Sequence, residues 1–121
     1  MLNRIFEIGN VVRDAELKDV EVNGTPTPRC RFSIAVNETK RNGEKIVTYF
    51  EVTAWREYAT KIAPWIKQGR QVHVEGNFRL NQYTKDGSVK TVLQIANPTV
   101  TLLGKKPEVE VSDEVDELPF E

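Results

Sequence analysis

This sequence predicts a mainly β domain, a small five-stranded Greek-key barrel with one helix between its third and fourth strands, followed by a disordered acidic C-terminal tail. Three observations predict it. Apolar and polar residues alternate along several extended stretches, the turn-forming pairs Asn23-Gly24, Asn42-Gly43 and Asp86-Gly87 punctuate them, and only one segment has helical spacing.

The five main strands are expected at about residues 3–12, 29–36, 45–55, 71–83 and 90–103, with a short extra hairpin near Lys18 to Val22. The helix is expected in "REYATKIAPWIKQG", where Tyr58, Ile62, Trp65 and Ile66 share one face and Gly69 supplies a C-terminal stop. Pro64 lies inside that pattern and should kink or shorten the helix, because it lacks a backbone N–H. Trp65, at helical spacing with Ile62 and Ile66, is expected in the core. A helix between strands three and four of a five-stranded barrel is the arrangement of an OB-fold, whose outer face binds oligonucleotides or oligosaccharides.

At 121 residues, 39% apolar and 29% charged, the chain has room for one packed core. Residues 1–104 form the expected domain and residues 105–121 the tail. No apolar run approaches the ~20 residues of a membrane helix, and the mixed opening "MLNRIFEIGN" is unlike a signal peptide, so a cytoplasmic location is expected. Cys30 is the single cysteine, which excludes an intrachain disulfide or a thiolate metal cluster and fits a small buried residue. The net charge of −1 hides an asymmetry: through residue 106 there are 17 Lys and Arg against 11 Asp and Glu, a surplus of +6, whereas residues 107–121 carry seven acids and no base. A basic body suits a polyanion partner, with a separate or autoinhibitory role for the tail.

In "TYFEVTAW" Phe50, Val52 and Ala54 fall on one side and Tyr49, Glu51, Thr53 and Trp55 on the other. The first set is the expected core; the second carries two aromatics about 20 Å apart at ~3.3 Å per residue. In the fourth strand Val72, Val74, Gly76, Phe78 and Leu80 are expected inward, and His73, Glu75, Asn77, Arg79, Asn81 and Tyr83 outward. Bases of any kind stack on flat side chains while Lys and Arg neutralise phosphates, and Tyr49, Trp55 and Tyr83 with Arg56 and Arg79 supply both. The competing reading has Tyr49 and Tyr83 covering sheet edges or a subunit contact, and Trp55 anchoring the helix. Lys40, Arg41 and Lys45 surround one hairpin turn and Lys85 and Lys90 another. Charged tips of this kind are ordinarily just solvated, yet together they can flank a nucleic-acid groove.

Assembled in order, these residues resemble the bacterial single-stranded DNA-binding protein family, SSB. "MLNRIFEIGNVVRDAELK", "FSIAVNE", "YFEVTAW", "WIKQG" and "VHVEGNFRLNQY" are similar to successive segments of that family over residues 1–103, and the acidic end closing on Pro-Phe is similar to its C-terminus. The resemblance implies sequence-independent binding and protection of single-stranded DNA in replication, recombination and repair. It implies base stacking on Tyr49, Trp55 and Tyr83; Arg4, Lys40, Arg41, Arg56, Arg79 and Lys85 are expected beside them as DNA-binding cations. Lys40 stands where some members have another aromatic. The resemblance also implies a homotetramer with the first strand at a subunit contact, where Glu7 replaces the usual apolar residue.

By the same resemblance, replication, recombination and repair proteins bind the tail through Asp113, Glu114, Asp116, Glu117, Leu118, Pro119 and Phe120. Phe120 would fill an apolar pocket and the acids would meet a basic rim. Two features depart from the family: Glu121 follows Phe120, and only about ten residues separate barrel from tip, a short tether that favours competition between the tail and DNA for the basic groove. No cofactor is implied. A metal-dependent nuclease fits poorly, because the tail acids lie on a segment with no core to fix them and His73 has no evident partner. A protein-binding OB module of a primosome-like complex is one alternative, and RNA in place of DNA is another open reading, because stacking and phosphate contacts tolerate both sugars.

Overall fold

The computed structural model describes residues 2–103. Six strands and one short helix follow in order: β1 (Ile5–Val11), β2 (Glu16–Val22), β3 (Thr25–Thr39), β4 (Lys45–Trp55), α1 (Arg56–Ile62) with a 3₁₀ turn at Ala63–Trp65, β5 (Gln71–Lys85) and β6 (Ser88–Leu103). The acidic tail, expected at residues 105–121, lies outside the described residues.

The sheet runs β1-β5-β6-β4-β3-β2, and an additional β1–β3 pairing, Asn10 with Ala35 and Val11 with Ile34, closes five of these strands into a barrel. This is the OB-fold that the order of strands and helix predicts. The sixth strand is the expected extra hairpin: β2 pairs only with the first half of β3, as an outrigger. β3 therefore begins four residues earlier than the strand read from Arg29. Pro26 and Pro28 hid this extension, and they are tolerated because β4 pairs with β3 only from Arg29 onward, so that β3 has one unpaired side there.

All three turn signals became hairpin turns. Asn23 and Gly24 (φ 52° and 80°) and Asp86 and Gly87 (φ 54° and 78°) both take the paired positive φ of a type I′ connection, whose twist matches its strands. Between β3 and β4 the amide of Lys40 donates to the Glu44 carbonyl at 2.7 Å, and Gly43 at φ 89° completes the turn.

Val11, Phe32, Ile34, Phe50, Val52, Val72, Val74, Ile95 and Val100 fill the barrel, and Ala59, Ile62 and Ile66 cap it from the helical connection. Pro64 acts as expected: the α-helix stops at Ile62 and Pro64 enters the 3₁₀ turn at a position that needs no N–H donor. Trp65 packs against the core while remaining partly exposed. The Tyr58 hydroxyl accepts a hydrogen bond from the Val100 amide at 2.8 Å and ties the helix to β6. Burial of that ring pushes its hydroxyl pKa up, partly offset by this bond.

One expectation about the core fails. Alternation points Leu80 inward, yet it is 54% exposed. The alternation was right and the burial was not: beyond Phe78, β5 pairs with β6 alone, and the two strands leave the barrel as an arm with no second layer to cover either face.

Candidate nucleic-acid interface

The strand registers assemble a groove on the outer face. Arg79 of β5 stands opposite Gln94 of β6, which pairs with Glu51 of β4, which pairs with Ser33 of β3. The next row is Asn77, Ala96, Thr53 and Arg31, and beyond it Trp55 faces Arg29. Small side chains at Thr53 and Ala96 sit between longer ones. They leave a hollow of about 290 Å³ bordered by Arg29, Arg31, Trp55, Arg79 and Gln94. Its four strands, at ~4.8 Å spacing, span ~14 Å, enough for a single strand to lie across them.

The electrostatics are asymmetric. Glu51 is the one carboxylate lining this hollow; it accepts from Gln94 Nε2 at 2.8 Å and lies 3.8 Å from Arg31 Nε. Arg31 is shared with Glu16 at 3.2 Å, and Arg29 reaches the same carboxylate only at 3.9 Å. Nε of Arg29 is buried with no hydrogen-bond acceptor among the described residues, and Arg79 forms no ion pair among them. Positive charge therefore exceeds its local compensation, as a phosphate-binding surface requires.

Tyr49, Trp55 and Tyr83 are 60%, 39% and 47% exposed, although tyrosine and tryptophan usually bury most of their ring. Trp55 borders the arginine groove, Tyr49 borders an adjoining hollow of about 450 Å³ against Thr91, Val92 and Leu93, and Tyr83 pairs with Lys90 on the arm. The predicted outward faces thus hold for all three. Among the predicted cations only Arg79 joins Trp55 in the groove. Arg56 adjoins Trp55 at the start of α1 with φ 63°; Lys40 and Arg41 sit at the β3–β4 turn, Lys40 being 3.6 Å from Glu44; Lys85 ends β5 on the arm. Arg4 is held by Glu75 at 2.6 Å, beside the β1–β5 seam. Asp113, Glu114, Asp116, Glu117, Leu118, Pro119 and Phe120 lie outside the described residues.

Sequence reasoning missed Arg29 and Arg31. The signal was present in "RCRF": Cys30 and Phe32 are buried, so the arginines must alternate outward on the strand next to Trp55. Among the described residues no group of three or more His, Cys, Asp or Glu is arranged to hold a metal ion.

Comparisons with known proteins agree with this geometry. The profile of the single-strand binding protein family matches residues 2–103. Single-stranded DNA-binding protein 1 of Clostridium acetobutylicum is 33% identical over 88% of this chain and 98% of its own length. The single-stranded DNA-binding protein of Treponema pallidum is 31% identical over 85% of this chain, which spans only 58% of that relative. The solved structure of the Plasmodium falciparum SSB complex with ssDNA shares the fold with a TM-score of 0.69 at 22% identity, covering 86% of this chain and 96% of that one. By profile and by sequence, then, the chain belongs to the single-strand binding protein family, a family of non-enzymatic proteins.

Proposed function

We propose that this protein binds single-stranded DNA without regard to base sequence, laying the strand across the outer face of β3, β4, β6 and β5. The observation that carries the reading is the adjacency of exposed Trp55 to Arg29, Arg31 and Arg79 in one groove, with Tyr49 and Tyr83 extending the stacking surface beyond Arg79, at the end away from Trp55. Each stacked base contributes ~1–3 kcal/mol, and each neutralised phosphate adds a salt-dependent increment. The relatives' names and the family match support the same ligand. Titration with oligo-dT and with duplex of equal length, at two salt concentrations, tests it through tryptophan fluorescence. Quenching by the single strand, weakening as salt rises, is expected; absence of any single-strand binding overturns it.

The wider role is coating and protection of single strands in replication, recombination and repair, in the cytoplasm and at the nucleoid. Residues 1–104 act as the binding domain, and the acidic segment 105–121 recruits partner proteins through Asp113 to Phe120. Self-association, as a homotetramer, is supported by the outer face of β1. Phe6 and Ile8 there are 58% and 50% exposed, and the Phe6 ring stacks on His73 of β5 with centroids 6.3 Å apart. Two adjacent apolar side chains on a sheet edge need a cover. Sedimentation of the wild-type chain against Phe6→Glu tests this, a shift to smaller species being expected.

A further inference from the structure

Trp55 borders two spaces. On one side is the arginine groove; on the other is a larger hollow, of about 790 Å³, between the start of β3 and α1. Its walls are built by Pro26, Pro28, Trp55 and Tyr58, and Arg56 and Lys61 line it with Glu57 as the single carboxylate. The chain shapes this space deliberately. The "TPTP" run opens β3 with two rings whose φ is fixed, and buried Thr27 donates its hydroxyl to the Thr25 carbonyl at 3.1 Å. On the opposite wall Tyr58 is held by the Val100 amide, and Arg56, at φ 63°, occupies a backbone region that non-glycine residues rarely adopt.

We propose that the hollow is an additional nucleotide subsite: a single strand crossing the arginine groove continues past Trp55, places one base among Pro26, Pro28 and Tyr58, and sets a phosphate near Arg56 and Lys61. This rests on the single-stranded DNA reading above and extends the strand's path beyond the groove. The ligand class follows from three features. The walls are apolar and ring-rich, as a base face requires. The charged residues carry two positive charges against one negative, as a phosphate requires. The indole of Trp55 is common to both spaces, so a base can reach it from each. Stacking on rings is tolerant of base identity, so the subsite is expected to be sequence-tolerant.

Lys61 is the informative residue because it is exposed, forms no ion pair among the described residues, and does not line the arginine groove. The experiment uses the full chain and a ladder of fluorescent oligo-dT, increasing one nucleotide at a time. Wild type should show an affinity step at the length that first reaches the hollow. Lys61→Glu should bind shorter oligomers as wild type does and lose about tenfold at and above that step; Lys61→Gln should lose less over the same lengths. The salt dependence of log affinity should flatten by about 0.7 at those lengths alone, as for one lost phosphate contact. A 2-aminopurine scan should find one position whose emission changes in wild type and not in Lys61→Glu. Equal loss at every length, or no loss at any, overturns the subsite while leaving the groove reading intact. Failure of wild type to bind any oligomer overturns both. If Lys61→Glu leaves DNA binding unchanged and instead weakens a labelled peptide of residues 113–121, the hollow is an acidic-peptide site and the proposal is wrong.

Discussion

Trp55 and Arg29 face each other directly across the β3–β4 ladder, which sets an exposed indole beside a guanidinium whose Nε has no acceptor among the described residues. Directly opposed residues in a ladder have Cβ atoms ~4.5–5.5 Å apart, so one nucleotide can stack on the ring and reach the cation with its phosphate. Trp55→Ala should weaken oligo-dT binding by ~1–3 kcal/mol, roughly 5- to 150-fold, with little change in salt dependence. Arg29→Gln should give a smaller loss together with a flatter salt slope. Parallel titrations at several salt concentrations separate the two. A slope change in Trp55→Ala equal to that in Arg29→Gln would show that stacking and charge are not divided in this way.

The ion pairs make the three groove arginines unequal. Arg79 has no carboxylate partner among the described residues, whereas Arg31 is divided between Glu16 and Glu51. Arg79→Gln should therefore cost more affinity than Arg31→Gln. Glu51→Gln removes the one carboxylate lining the groove and frees Arg31, so this variant should bind more tightly than wild type and show a steeper salt slope. Fluorescence anisotropy at low and moderate salt checks the order, and weaker binding by Glu51→Gln would contradict it.

The barrel was legible because each of its five strands has one buried face along the part that forms the barrel. Phe50, Val52 and Ala54 announce the core, and their neighbours Tyr49 and Trp55 therefore announce the outer surface. Leu80 was misjudged because alternation reports which way a side chain points, while burial depends on whether another layer lies there, and the arm has none. The start of β3 was hidden by Pro26 and Pro28, which argue against a strand unless one of its sides is unpaired, as β3 is before Arg29. The groove was only half legible. Arg29 and Arg31 meet Arg79 through the β4–β6 pairing, a parallel contact between strands separated by some forty residues, and no local pattern encodes that.

Cys30 is fully buried in the barrel, and burial pushes its thiol pKa up to about 11. The reactive species is the thiolate, so a thiol reagent at pH 8 should label the folded protein far more slowly than the unfolded one. Single-strand binding stabilises the folded state by mass action and should slow labelling further where exposure needs global unfolding. Rapid stoichiometric labelling of folded protein would contradict this burial.

Glu7 sets a pH dependence. Partial burial on β1, and then the nearby carboxylate of Glu38, raise its pKa above the ordinary value of 4.5. The folded state thus favours the protonated form, and Glu7 contributes relative stability fully below about pH 4.5 that is lost as pH rises through its elevated folded pKa. At neutral pH Glu7→Gln should raise Tm, and the gain should shrink on acidification into the range where wild-type Glu7 is itself protonated. Melts of both proteins across pH 4 to 8, a range spanning roughly the ordinary Glu and His titrations, check this. A constant Tm difference would mean that the charge of Glu7 is not the cause.

Gly76 lies in β5 two residues before Phe78, where the strand leaves the barrel for the arm. A Cβ at this position would stand 2.6 Å from the Ala96 carbonyl oxygen and 2.7 Å from Cγ2 of Ile95, and the first of these is backbone that cannot swing aside. The same place carries the register shift between Glu75 and Asn77, which lets Val100 and Ile95, of opposite parity on β6, both face the core. Gly76→Ala should therefore cost ~1–3 kcal/mol in stability, as overpacking of a close-packed interior does. It should also weaken DNA binding, because pushing β6 away moves Ala96 and Gln94 relative to Thr53 and Glu51 and deforms the groove floor. Gly87→Ala, at φ 78° with open space around it, provides the control: backbone strain alone, at the arm tip, should lower stability without disturbing the groove. If the two variants reduced binding of short oligomers equally, the close approach at Gly76 would not be what shapes the site.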